Sequence, residues 1–379
     1  MEIKQVKLHN NKPASNRLIS INQASLFAEK SFPYFPSTRY QGSKRKILFE
    51  LANLLQTLSF NSALDLYSGS GVVTLLLRHL GKHVDANDYQ QFSQTTARLF
   101  LNLSNSTLSN DTHEGLLNEL LSSSQTNHLS LVRDNYSDIF FTKVENTEID
   151  CFCQNSSQLS LTLKDLYVYA VGQALMKKRP YNLFHRANLS MRQRDVKRSF
   201  GNAVTWETSI LNHAIKAIEE LKKFPFTNNL TNSNVFGENT SDLSRLPNDY
   251  DLVYLDPPYL NAKGIGIDYS DFYSFLEGIV DYSLFSQGDL KYPHKPIDKK
   301  CSRWAKSETA LEELSDVLAK WKGSTFVLSY RSDGLPILDE MVEILSQNSR
   351  KVEVHTCGEY KYALSKTKNS HELFIISRP

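Results

Sequence analysis

The sequence predicts an α/β fold built on an open, mostly parallel sheet. Three observations carry that expectation. Short apolar runs of strand length alternate with longer stretches of helical periodicity. One such run, Ala63-Leu64-Asp65-Leu66, breaks into a glycine turn and continues as a helix. Another, Leu252-Val253-Tyr254-Leu255, reads as a buried strand and stops at Asp256-Pro257-Pro258-Tyr259. Two prolines cannot donate to a ladder and hold φ fixed, so a rigid corner follows the strand.

The chain of 379 residues is long enough for one large core, or one core plus a smaller domain. Its net charge of +2 gives no global attraction to nucleic acid, so any such affinity needs a local patch. Cys151, Cys153, Cys301 and Cys357 form no Cys-x-x-Cys pair. They read as reduced and structural, and no metal site is expected. No signal-like apolar region opens the chain, and no run approaches the ~20 residues of a membrane span. The expectation is a cytoplasmic protein without a membrane partner.

In chain order, residues 1–37 form a polar arm. The segment Arg39-Tyr40-Gln41-Gly42-Ser43-Lys44-Arg45-Lys46 then places a turn before a helix from Ile47 to Leu55. Backbone N–H groups at such a start favour an anion. Next comes Asp65-Leu66-Tyr67-Ser68-Gly69-Ser70-Gly71 between the first strand and a helix that ends near Gly81, a natural C′ residue. Gly69 and Gly71 let backbone approach a ligand. A second strand, Val84-Asp85-Ala86-Asn87, is followed by Asp88, near the spacing at which an acid meets a ribose. The third glycine of a nicotinamide fingerprint is missing, and so is the Gly-Lys of a phosphate loop.

Residues 89–232 show no further sheet strand, only helices. They carry the strongest basic patch, with Arg179, Arg186, Arg192, Arg194, Lys197 and Arg198 interleaved with aromatics and amides that include Asn202. Cations can neutralise phosphates, and Arg, Asn and Gln can read base edges. Ile210 to Leu221 is a core-packing helix. Val235-Phe236 is a third strand, with Asp242 among the polar groups beyond its end. After the proline corner come a glycine-containing loop (260–266) and a stretch rich in Tyr, Phe and Asp (268–296). Helices at 307–321 and 335–346 flank the strand Thr325–Tyr330. Val352–His355 and Leu373–Ile376 pair as a terminal antiparallel hairpin whose tip holds Lys361 and Lys366.

The proline corner suits narrow chemistry. Asp256 and the Pro257 carbonyl are two acceptors on a stiff turn, able to hold both hydrogens of an exocyclic amine while positive charge develops on its nitrogen. Tyr259 supplies a flat ring for a base. Asp-Pro-Pro-Tyr after an apolar strand resembles the catalytic motif of the adenine N6 DNA methyltransferases. So does the order of cofactor motif, basic segment and catalytic motif, over roughly residues 39–376. That resemblance implies a Rossmann-like methyltransferase sheet of seven strands with a terminal antiparallel hairpin. Residues 1–104 and 230–379 would form the catalytic domain, and 105–229 an inserted, mainly helical recognition domain. It implies S-adenosylmethionine (AdoMet) held by Tyr40, Lys44, Asp65, Tyr67 (where phenylalanine is usual), Gly69, Gly71, Asp88, Asp242 and Asp256. It implies catalysis by Asp256, Pro257, Pro258 and Tyr259 on an adenine flipped from duplex DNA. DNA contact would fall to the basic patch, Asn202, Lys361 and Lys366. A cognate restriction endonuclease is a further expected partner. The same residues also admit amino methylation of RNA or of cytosine N4, or an inactive DNA-binding homologue.

Overall fold

The structure, a computed structural model, describes residues 18–20, 31–122, 129–185, 189, 200–227, 232–240, 242–260, 264, 266, 269–297, 302–359 and 371–379. Its strands are β1 (Leu18–Ser20), β2 (Ser62–Asp65), β3 (His83–Asn87), β4 (Val235–Phe236), β5 (Leu252–Leu255), β6 (Thr325–Arg331), β7 (Lys351–Glu359) and β8 (His371–Arg378). They form one sheet in the order β1-β7-β8-β6-β5-β2-β3-β4. All pairings are parallel except those of β8 with β6 and with β7.

Seven of these strands match the expected sheet. The eighth, β1, comes from the arm, where no strand was expected, and pairs with the β7 edge. Three residues carry too short a pattern to be read. An edge strand also needs only backbone hydrogen bonds from its neighbour.

Thirteen helices are described. α1 (Leu48–Gln56), α2 (Val72–His79) and α3 (Gln91–Asn102) alternate with the first strands. Between β3 and β4 lie α4 (Asn105–Leu108), α5 (His113–Leu121), α6 (Leu131–Asn135), α7 (Lys143–Asn155), α8 (Leu161–Lys177), α9 (Phe200–Glu207) and α10 (Ile210–Lys222). The remainder are α11 (Tyr269–Val280), α12 (Ser307–Lys320) and α13 (Leu338–Leu345). None of the described helices is long and apolar enough to cross a membrane.

The strands bury both faces. Along β5, Leu252 and Tyr254 join one core while Val253 and Leu255 join another. In β8, Phe374 and Ile376 face the first core, and Leu373 and Ile375 the second. The period of two places successive side chains on opposite faces. Each fully buried apolar side chain contributes roughly 2 kcal/mol. α12 and α13 cover the second face. The first is covered by α1 to α3 and also by α8, α10 and α11. The helical block between β3 and β4 therefore shares its core with the sheet. Aromatic contacts join that block to α11: Phe184 stacks on Phe275 with centroids 5.1 Å apart, and Phe140 meets Phe275 edge-on at 5.3 Å. The three described cysteines, Cys151, Cys153 and Cys357, are buried and free.

Strand order reverses between β2 and β5. From β2 the chain builds outward through β3 and β4, and from β5 through β6. Ligands of open α/β sheets bind at such a switch point, beyond the carboxyl ends of the strands.

Candidate active site

A cleft opens at that switch point. Its wall takes Tyr40–Lys44, Asp65–Ser70, Asn87–Gln90, Glu238, Thr240, Tyr254, Pro257 and Tyr269, among others. The glycine turn after β2 and the proline corner after β5 face one space because their strands are hydrogen-bonded neighbours. Asp256, Pro258 and Tyr259 also line it.

The glycine turn is built on left-handed backbone. Gly69 has φ +48° and Gly71 φ +70°, where a Cβ is strained. A Cβ on Gly71 would also lie 2.9 Å from the Phe100 ring. Asp88 organises the turn from the next strand. Its carboxylate accepts from Gly69 N at 2.8 Å and from Gln90 N at 2.8 Å. Asp65 accepts from Thr74 Oγ1 at 2.7 Å, and burial lifts its carboxyl to about 7. Ser68 Oγ, buried in this turn, has no partner among the described residues. A buried polar atom left open in a cleft wall favours a polar ligand. With Gly69 in the cleft wall and this hydroxyl open beside it, the turn fits a nucleoside-bearing cofactor.

Tyr40 stacks on Tyr273 at 4.2 Å and on Tyr269 at 5.6 Å, and donates to Gln90 Oε1 at 2.7 Å. Tyr273 Oη in turn accepts from Gln41 N at 2.7 Å. The stretch after the proline corner thus folds back as α11 and braces the segment before α1. Tyr67 points its hydroxyl at buried Glu313 of α12, at 2.5 Å. Trp304 Nε1 reaches the same Glu313 oxygen at 2.9 Å, and Thr240 Oγ1 donates to it as well. A phenylalanine at position 67 could not join this network.

At the proline corner, Lys44 Nζ lies 2.6 Å from Asp256 Oδ1. Burial lifts the Asp256 carboxyl to about 6; the Lys44 cation opposes that lift, and Glu372 adds to it. Lys44 itself loses hydration on burial, yet Asp256 and Glu372 hold its ammonium well above the ordinary range. Tyr259 is 5% exposed. Its ring meets Tyr330 edge-on at 6.1 Å, and the Arg331 guanidinium lies 5.2 Å from its centroid.

Two expected residues lie elsewhere. Asp242 is exposed, and its carboxylate accepts from Ser244 N in a local turn; the same loop sends Glu238 and Thr240 to the cleft instead. Short acids after a strand compete for local backbone donors. Arg179 is 2% exposed and donates to Leu183 O and Phe140 O. A buried guanidinium on two carbonyls is a brace for the basic segment, not a phosphate contact. Arg186, Arg192, Arg194, Lys197, Arg198, Lys361 and Lys366 lie outside the described residues, and Asn202 falls within α9.

Gln90, Glu238, Thr240 and Tyr269 belong to the wall but were not singled out from sequence. Glu238 and Thr240 stand in the polar loop beyond Val235-Phe236, from which only Asp242 was singled out, and Tyr269 in the stretch rich in Tyr, Phe and Asp.

Residues 40–304 match the family of D12 class N6 adenine-specific DNA methyltransferases. Over 360 residues the chain is 26% identical to the Type II methyltransferase M2.HphI of Haemophilus parahaemolyticus, covering 91% of this chain and 98% of that relative.

Proposed function

The chain belongs to the D12 class of N6 adenine-specific DNA methyltransferases, and from that premise we propose how its cleft does the work. AdoMet is the methyl donor and supplies an electrophilic methyl group on sulfur. Gly69, Gly71 and Ser68 would lie along it, with Asp88 at the ribose. Tyr40, Lys44 and Asp65 would face the methionine end, and Tyr67, Glu238 and Thr240 would wall its base.

The target adenine enters from duplex DNA by flipping, which costs a few kcal/mol. Asp256 and the Pro257 carbonyl accept its two amine hydrogens. Both stand on backbone that Pro257 and Pro258 hold stiff, so little reorganisation is needed as positive charge develops on nitrogen. Once the methyl group has passed from sulfur to the amine nitrogen, that nitrogen, now cationic, would lose one of its two protons toward the Asp256 carboxylate. Tyr259 would stack on the base. At 5% exposure its ring must first be uncovered; Arg331, Lys44 and Tyr330 lie against it.

The single observation behind this reading is the juxtaposition of the Asp256 carboxylate with the glycine turn in one cleft. DNA contact falls to Arg186, Arg192, Arg194, Lys197, Arg198, Asn202, Lys361 and Lys366, with residues 105–229 as the recognition part. Likeness to a Type II methyltransferase supports a restriction–modification role; a cytoplasmic setting and a cognate endonuclease complete the proposal. Modified-base sequencing of DNA from cells expressing the chain tests the proposal. N6-methyladenine at one recurrent sequence is expected. Methylated cytosine, or unmodified DNA from a soluble protein, would overturn it.

A further inference from the structure

Lys44 touches two carboxylates, not one. Besides Asp256 at 2.6 Å, its ammonium lies 3.2 Å from Glu372 Oε1. Glu372 is 0% exposed, at the start of β8. Ser329 Oγ, on β6 two residues before Arg331, the residue opposite Glu372, donates to it at 2.8 Å. Lys44 is 3% exposed, while the Asp256 side chain keeps 18%. Of the three charged groups, Asp256 is therefore the one that opens to the cleft. Other ionisable groups face the cluster from every side: Asp65 from β2, Tyr254 and Tyr259 from the β5 side, and Arg331 from β6 across the Tyr259 ring. Cys357 of β7 feels both Glu372 and Glu50 of α1.

We propose that Glu372 is a positioning residue for methyl transfer. It anchors Lys44 from behind and leaves the trio with one net negative charge, presented to the substrate through Asp256. A lone Lys–Asp pair would be neutral, and its ammonium would draw electron density from the oxygen that must accept the amine. With a second carboxylate sharing the ammonium, Asp256 stays oriented and remains a strong acceptor. In a water-poor site such charge placement is screened less than in water. Stability alone does not account for the arrangement, since buried ion clusters seldom stabilise more than apolar packing would.

The inference rests on Asp256 as the amine acceptor, and its test is separable from that reading. Glu372→Gln keeps an acceptor for Ser329 and removes the charge. It should lower kcat about tenfold, the scale on which partners standing behind a reacting group are felt. The acid limb of the pH–kcat profile should move to lower pH, because a charge that lifts the Asp256 carboxyl is gone. AdoMet affinity by calorimetry should hold, and Glu372→Asp should recover part of the rate. A lowered kcat with an unmoved acid limb would overturn the proposal, as would an unchanged kcat. If Glu372→Gln does not fold, Lys44→Met is compared with Lys44→Met/Glu372→Gln, which removes both charges. The double variant's acid limb should lie below that of Lys44→Met, and coincident limbs would overturn the proposal. Turnover retained by Asp256→Ala would instead sink the catalytic reading itself.

Discussion

The tips of β2 and β5 are hydrogen-bonded neighbours that end in opposite ways. One ends in glycines at φ +48° and +70°, the other in two consecutive prolines. Glycine removes side chains so that a ligand can approach backbone, and its turn offers N–H groups and small hydroxyls. Proline removes N–H donors and freedom, so its corner offers oxygens on a fixed frame. On the proposed reading, the methyl donor's half of the cleft thus depends on access, and the acceptor's half on stiffness. Their charges differ too. At the glycine turn, Glu313 is met by neutral donors from Tyr67, Trp304 and Thr240, whereas at the proline corner Glu372 is met by the Lys44 cation. On the proposed reading, the ion cluster stands where charge changes during reaction, and the neutral network stands where shape must be kept.

Substitutions can break that comparison. Asp256→Ala should lower methyl transfer by about a hundredfold to a thousandfold, the scale of losing one fixed electrostatic partner, while DNA still binds in a shift assay. Tyr259→Ala should cost on the order of tenfold to a hundredfold in kcat/KM, matching ~1–3 kcal/mol of stacking, and Tyr259→Phe far less. Equal losses would remove stacking from the account.

The pH dependence should come from the proline corner. The Asp256 carboxyl sits at about 6, so kcat should fall as pH drops through that value, because protonation removes the acceptor. One unit lower, the rate should be roughly a tenth, as a single titration requires. Gly71→Ala should lower stability by about 1–3 kcal/mol through left-handed strain and the Phe100 contact, read as a fall in Tm. Gly69→Ala, whose Cβ would meet the Tyr40 ring at an ordinary 3.5 Å, should cost less stability. Smallest should be neutralising Arg192, Arg194 or Arg198 one at a time. Each should weaken DNA binding modestly and flatten its salt slope by about one unit per lost phosphate contact. An unchanged slope would move the contact elsewhere.

Both tips were legible because each is a local device. A glycine pair between strand and helix, and a carboxylate before two prolines, state their geometry within a few residues. The same holds for Gly81, φ +73°, which ends α2 as expected. Asp242 shows the limit: a loop acid at the right strand end was readable, but Glu238 and Thr240 turned out to face the cleft. Arg179 shows it again, since a cation in a basic run can be drawn inward by two carbonyls.

By itself the sequence determined the order of strands and helices, the two turns that flank the cleft, and the kind of group each presents, since these follow from backbone preferences of neighbouring residues. Only the tertiary structure decided that Glu372, more than a hundred residues beyond Asp256 in the chain, stands behind it. It alone decided too that α11 folds back on Tyr40 and that an arm strand joins the β7 edge. Those pairings depend on strand order and on which side chains share a buried face, and residues distant in sequence meet only once the sheet has closed around them.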